Sequence, residues 1–196
     1  NRTEAELKNL RNQLNPHFLL NTLNNIYALI AFDSDKAQQA VQELSKLLRY
    51  VLYDNQQTYV PLCKEVDFIR NYIELMRILS ANVQMSTQFD IHPNCQTLIA
   101  PLIFISLIEN AFKHGISPTE ASFIHIHISE NDQEVICEIR NSNFPKEVWD
   151  KSGSGVGLEQ VSRRLEILYP GAYTWSKGTS RDGKCYESKL SIKIKE

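Results

Sequence analysis

The chain has 196 residues, of which 22% are charged and 42% are hydrophobic, and its formal net charge is −2 at pH 7. This length suffices for one ample core or two small ones, and the composition is that of a globular protein. A net charge so close to zero creates no basic field, so nucleic acid is not expected as a direct partner.

The four cysteines lie far apart and form no C-x-x-C pair: Cys63, Cys95, Cys137 and Cys185. Neither a zinc site nor a disulfide framework is therefore expected, and a reducing cytosol is the compartment that this cysteine usage favours.

Two helices are predicted at the N-terminal end of the chain. Residues 4–31 have helical periodicity with a kink at Pro16, and Asp33 begins a second helix whose apolar stripe extends from Ala37 to Val51. A short turn makes them an antiparallel hairpin, which cannot bury both stripes alone. The hairpin therefore either docks on the rest of the chain or pairs with a second copy as a four-helix bundle. We favour the homodimer because an a/d spacing relates Leu7, Leu10 and Leu14.

The polar segment 55–58 is the predicted boundary between two domains, residues 1–58 and residues 59–196. Beyond it, Ile124, Ile126 and Ile128 alternate with more polar residues, which indicates a strand with one buried face. Strands are expected over residues 83–91, 122–130, 134–141, 173–177 and 184–193. Helices are expected over 64–80, from Pro101 through Phe112, ending at Gly115 as a C′ glycine, and over 157–169. The second half is therefore mixed α/β, with helices segregated to one face of a sheet.

Histidines occur in two contrasting settings. At 100° per residue, His17, Asn21 and Asn24 form a polar stripe on the first helix, roughly opposite an apolar stripe of Leu19, Leu23, Ile26 and Ile30. A lone helix histidine is more often a structural side chain than a reactive one. His125 and His127 share a strand face without a third ligand, so a half-exposed face is favoured over a metal site.

Polar residues cluster at the end of the otherwise apolar helix that ends near Gly115. Glu109, Asn110, Lys113 and His114 are neighbours at helical spacing. Hard oxygen ligands beside a cation suit Mg²⁺ that bridges phosphates, and a polar last turn accounts for them equally well.

A glycine-rich segment precedes the helix of residues 157–169. Gly153, Gly155 and Gly157 are spaced G-x-G-x-G and are followed by Leu158. Glycines let backbone N–H groups approach an anion, and the start of the helix adds its positive end. Taken alone, such a segment is commonly just a loop.

Three of these segments match known motifs. The segment from Asn15 to Asn24 resembles the phosphoacceptor motif of LytS-like sensor histidine kinases. Residues 109–115 match the N box of the GHKL ATP-binding fold, and residues 153–158 match its glycine-rich lid. The resemblance implies an α+β protein: a helical hairpin that forms a dimeric four-helix bundle, followed by a GHKL (Bergerat) α/β sandwich.

The resemblance also implies a role for each matching residue. His17 is the phosphoacceptor and Glu109 the general base. ATP and Mg²⁺ bind the second domain, with Asn110 on the metal and Lys113 or His114 near the phosphates. The lid, with Gly153, Gly155, Gly157 and Leu158, closes over the phosphates. The phosphoryl group then passes to an aspartate of a response regulator, and the membrane enters only through an upstream sensor, which makes this chain the cytoplasmic domain of an inner-membrane protein.

The sequence departs from the family where the strand that reads adenine ends. The usual Asp-Asn-Gly is replaced by Asn141, Ser142 and Asn143. Asn141 still offers an acceptor for an exocyclic amine, but without charge, so weaker ATP binding is expected.

Asn21 is either a phosphatase residue, one turn beyond His17, or a polar residue that hydrates the helix seam. Two alternatives to a kinase are a degenerate scaffold that signals by dimerisation, and a GHKL ATPase or serine kinase that does not use His17.

Overall fold

The structure is a computed structural model that describes residue 2 and residues 16–54, 57–144 and 156–194. The helices are α1 (Pro16–Ile30), α2 (Ser34–Arg49), α3 (Leu62–Leu79), α4 (Ile103–Gly115) and α5 (Val156–Leu168), with a π-helical turn at Tyr50–Asp54 after α2. The strands are β1 (Val60–Pro61), β2 (Val83–Asp90), β3 (Leu98–Ile99), β4 (Ser122–Glu130), β5 (Glu134–Ser142), β6 (Tyr173–Thr179) and β7 (Cys185–Lys193).

Helices α1 and α2 form the predicted hairpin. Asp33 caps α2 as expected, because its side chain accepts a hydrogen bond from the backbone N–H of Lys36 at 3.1 Å. The apolar stripe of α2 is buried through Ala37, Ala40, Leu44 and Leu47. The segment 4–15 of the predicted first helix, with Leu7, Leu10 and Leu14, lies outside the described residues, and the boundary at residue 58 stays a prediction.

The apolar side chains of α1 are divided between two faces, so the single stripe predicted from Leu19 to Ile30 is wrong. Thr22 and Ile26 are buried, and Phe18, Leu19 and Leu29 are partly buried. A second row stays exposed at 47–79%: Leu20, Leu23, Tyr27 and Ile30. The prediction combined members of both rows, because the two rows adjoin on the helix and the spacing of three and four residues links positions across their boundary.

Five strands form one mixed sheet in the order β2-β4-β5-β7-β6. Strand β2 pairs with β4 in parallel, and the other pairs are antiparallel. On β4 the side chains of Ile124, Ile126 and Ile128 are buried in one core with residues of α3, α4 and α5. The expected α+β class, with helices against one face of the sheet, is confirmed.

The two ends of α4 differ from the prediction. Pro101 precedes the helix, whose N-cap is Leu102 in the left-handed region at φ 66°. Gly115 is the last helical residue and has no positive φ, so its reading as a C′ glycine is wrong. A side chain there would force a neighbour to shift, because a Cβ would lie 2.9 Å from Nδ2 of Asn141.

A further correction concerns the cysteines. Cys63 and Cys95 are paired as a disulfide with Cα atoms 5.1 Å apart, contrary to the expectation that no disulfide forms. The antiparallel pairing of β1 with β3 aligns Val60 with Ile99 and brings these distant cysteines together, which their spacing in the sequence does not reveal. Within the described ranges, no helix combines the length and apolar character needed to span a bilayer.

Candidate functional site

The end of α4 and the end of β5, which carry the two predicted motifs, are in contact. Ser142 donates from Oγ to the carbonyl oxygen of Gly115 at 2.6 Å, and the N–H of Phe144 donates to that of His114 at 3.2 Å. The missing side chain at Gly115 leaves the space that Asn141 occupies. Two segments that are some 25 residues apart in the chain therefore form one site.

Asn141 is the most deeply buried polar side chain of this site, with 1% of its surface exposed. Its Nδ2 donates to the carbonyl oxygen of Ser142 at 2.8 Å, which fixes the orientation of the amide. Its Oδ1 is buried and has no hydrogen-bond partner among the described residues. Because buried polar atoms are normally paired, this acceptor suits a ligand that brings an N–H donor, such as an exocyclic amine.

Glu109 lies in a mostly apolar cavity of about 310 Å³ formed by the hairpin, α3 and α4. Burial raises the pKa of Glu109 to about 8, since a carboxylate is poorly solvated there. The pKa of the buried Tyr72 phenol is also raised, chiefly by burial and then by the charge of Glu109. A carboxyl group with a pKa near neutrality is suited to accepting and returning a proton.

Phe18, next to the predicted phosphoacceptor, also lines this cavity. Its ring centroid lies 5.2 Å from that of Tyr72. His17 itself belongs to the first turn of α1, and its side chain lies outside the described part of the structure. Asn21 is exposed one turn further along α1.

The remaining predicted residues lie on α4 and α5. Asn110 and His114 are partly buried and Lys113 is exposed, all in the last two turns of α4. The amide oxygen of Asn110 is a ligand type that Mg²⁺ accepts. Gly157 and Leu158 begin α5, whereas Gly153 and Gly155 lie outside the described residues.

Sequence reasoning missed a group of buried polar side chains at the start of α4. Glu65 accepts from the N–H of Leu102 at 2.6 Å and from the hydroxyl of Tyr50. Arg164 donates to the carbonyl oxygen of Pro101 at 2.7 Å, and the N–H of Ala100 donates to the hydroxyl of Tyr169 at 2.9 Å. The sequence offered only an acidic residue in the first turn of a helix, which is ordinarily read as a surface position.

A larger concavity of about 760 Å³ lies on the outer face of the sheet, away from the nucleotide motifs. His127 contacts Asp90 at 2.7 Å and Glu138 at 3.3 Å on this face. None of the clusters of acidic, histidine or cysteine side chains in the described ranges could hold a metal ion. Phe123, His125 and His127 are partly buried, as predicted for a half-exposed strand face.

Comparison with known proteins relates the chain to histidine kinases. A family model described as histidine kinase matches residues 5–82. The sensor protein LytS of Enterococcus faecalis is 31% identical over 179 residues, which are 85% of this chain and 30% of that protein. The sensor histidine kinase/phosphatase LytS of Staphylococcus aureus is 28% identical over 184 residues, again 85% of this chain and 31% of that protein. A solved histidine kinase domain from Erythrobacter litoralis has 12% identity and a TM-score of 0.47, covering 97% of this chain and 94% of that domain.

The two sequence relatives show that the chain is similar to LytS-like histidine kinases over 85% of its length. The predicted resemblance to LytS-like sensor histidine kinases is confirmed. The chain spans just under a third of the length of the curated relatives it matches.

Proposed function

We propose that the chain is the core of a two-component sensor histidine kinase, which transfers the γ-phosphoryl group of ATP to His17. The observation that carries the proposal is the unpaired, buried Oδ1 of Asn141 beside the N box. In this proposal an adenine amine supplies the missing donor, Asn110 would hold Mg²⁺, and Lys113 and His114 would contact the phosphates. Mg²⁺ would neutralise phosphate charge.

The residues of the chain have complementary tasks in this transfer. An imidazole nitrogen of His17 bonds to the γ-phosphorus as the bond from that phosphorus to the bridging oxygen breaks. ADP leaves with the electron pair, and the Glu109 carboxylate receives the imidazole proton. Because the pKa of Glu109 is about 8, the rate should rise with pH until that value is passed.

Labelled ATP with Mg²⁺ tests the proposal. The label should be stable in base and lost in acid, as expected for a phosphoramidate. His17→Gln should abolish labelling without weakening ATP binding, and His125→Gln, on the outer sheet face, is the matched control. Acid-stable label would favour the serine kinase alternative, and persistent acid-labile label on His17→Gln would refute the acceptor assignment.

A degenerate scaffold is the second candidate. It is favoured by Asn141, which stands where the family usually has an aspartate. A scaffold would dimerise without binding ATP. Calorimetry with ATP and Mg²⁺ distinguishes the two, since a scaffold should give no heat of binding.

Assembly into a homodimer is part of the proposal. The exposed row of α1, Leu20, Leu23, Tyr27 and Ile30, has the 3-4-3 spacing of a helix seam. A dimer at micromolar concentration is therefore expected by light scattering. Tyr27→Asp with Leu23→Asp should dissociate it, because carboxylates are costly to bury, whereas aspartate at exposed Gln38 and Gln39 on α2 should not.

A response regulator is the expected acceptor of the phosphoryl group from phosphorylated His17. An upstream segment would attach the chain to the inner membrane and leave this domain in the cytoplasm.

Asn21 is exposed one turn after His17, and the Staphylococcus aureus relative is named a kinase/phosphatase. We propose that Asn21 orients the water that dephosphorylates the regulator. Asn21→Ala should lower phosphatase activity alone, and unchanged phosphatase activity would mean that Asn21 only hydrates the helix.

A further inference from the structure

A row of aromatic rings connects the acceptor helix to the nucleotide-binding half of the same chain. The ring of Phe18 on α1 lies 5.2 Å from that of Tyr72 on α3, which in turn lies 5.6 Å from that of Phe112 on α4. Phe112 belongs to the N box, and Phe18 directly follows His17. Tilted and edge-on pairs at these distances attract one another beyond their burial.

Glu109 occupies the same cavity as Phe18 and Tyr72. His17 directly precedes Phe18 in α1, so its backbone is one residue from a side chain that lines this cavity. The proposed general base and the helix that carries the proposed acceptor are therefore neighbours within one chain.

The opposite side of α1 is available for a second copy. Its exposed row, which includes Leu20, Leu23 and Tyr27, carries the helix seam described above. A copy seated on that seam leaves Phe18 packed against Tyr72 of its own chain. Helix α1 thus meets its own catalytic half and the second copy with different side chains.

We infer that phosphoryl transfer takes place within one chain: the nucleotide site and Glu109 of each chain act on His17 of that same chain. The inference rests on the proposed function. The bond from an imidazole nitrogen to the γ-phosphorus forms, ADP leaves with the electron pair of the broken bond, and the proton passes to Glu109, all without a group from the other chain.

Mixed dimers of two differently tagged chains, purified through both tags, test this inference. In the first, a His17→Gln chain is paired with an Asn110→Ala chain. In the second, an unchanged chain is paired with the double variant His17→Gln/Asn110→Ala. Transfer within a chain labels only the second mixed dimer, on its unchanged chain, whereas transfer between chains labels only the first.

The outcomes separate the inference from the proposed function. Label on the first mixed dimer above a tenth of the unchanged homodimer's, or no label on the second, overturns the inference while the proposed function stands. An unlabelled homodimer of unchanged chains refutes the proposed function itself. If the chain is monomeric, labelling per chain that is independent of protein concentration supports the inference, and labelling that rises with concentration overturns it.

Discussion

Two sets of buried polar side chains lie at opposite ends of α4, and they differ in whether their acceptors are used. At the N-terminal end, both carboxylate oxygens of Glu65 accept hydrogen bonds, one from Leu102 and one from Tyr50. At the C-terminal end, Oδ1 of Asn141 is buried without a partner among the described residues. We call the hydrogen-bonded group around Glu65 at the N-terminal end the closed set, because both acceptor oxygens of Glu65 are used. The closed set stabilises the fold, whereas an acceptor without a partner is suited to a ligand.

The closed set holds a strained segment in place. Leu102 has a left-handed backbone, which costs an L-residue roughly 1–2 kcal/mol. Hydrogen bonds hold three successive residues there: the N–H of Ala100, the carbonyl of Pro101 and the N–H of Leu102. They fix where α4 begins and, through this helix of 13 residues, where the N box ends.

The largest effect is expected from Glu65→Ala. It leaves the N–H of Leu102 and the hydroxyl of Tyr50 buried without their acceptor, at about 1–3 kcal/mol each. The free energy of unfolding in urea should fall by about 2–6 kcal/mol. Glu74→Ala on the same helix is the control, because Glu74 is exposed and its ion pair with Arg77 at 3.7 Å lies at the surface. A loss below 1 kcal/mol for Glu65→Ala would show that the closed set does not stabilise the fold.

Sequence reasoning succeeded where the determinant is local and failed where it is a distant contact. The cap at Asp33 and the alternation along β4 each depend on a few neighbouring residues, and both are confirmed. The bond from Glu65 to Leu102 joins residues 37 positions apart, and no local pattern encodes it. The same holds for the Cys63–Cys95 pair and for the parallel pairing of β2 with β4.

The candidate site was predicted because its chemistry is concentrated in short motifs. Residues 109–115 and Asn141 could be chosen from sequence, and the structure brings these two segments together. The reason why residue 115 is a glycine could not be predicted from sequence. It depends on Asn141, which packs beside Gly115, and not on how α4 ends.

Gly115→Ala tests that close approach. The new Cβ would lie 2.9 Å from Nδ2 of Asn141 and 3.0 Å from the carbonyl oxygen of Ser142. Overpacking of this kind should lower the free energy of unfolding by about 1–3 kcal/mol and weaken ATP binding, because Asn141 must shift. Gly178→Ala is the control, since a Cβ there has no neighbour within 4 Å among the described atoms. Equal stability of both variants would show that Asn141 does not pack against Gly115.

Glu109→Gln should stabilise the protein above neutral pH. The native carboxyl keeps its proton up to a pKa of about 8, whereas the ordinary value is 4.5. Between these pH values the unfolded chain binds fewer protons, so the stability of the unchanged protein falls as pH rises. The variant, which lacks this loss, should gain up to about 5 kcal/mol at pH 8.5, because each pKa unit corresponds to about 1.4 kcal/mol, and almost nothing at pH 4.5. Thermal unfolding across that range measures it, and a gain independent of pH would contradict the raised pKa.

The most direct test of the account is the affinity of Asn141→Asp for ATP, measured by calorimetry at fixed Mg²⁺. A carboxylate makes a charge-assisted hydrogen bond roughly twice as strong as an amide does. The variant should therefore bind ATP more tightly by about 1 kcal/mol, which is a few-fold to tenfold in Kd. Asn143→Asp, directly after the end of β5, is the matched control and should change the affinity little. Equal affinities of Asn141→Asp and the unchanged protein would show that the unpaired acceptor of Asn141 does not face the adenine, and the absence of binding heat for both would contradict nucleotide binding altogether.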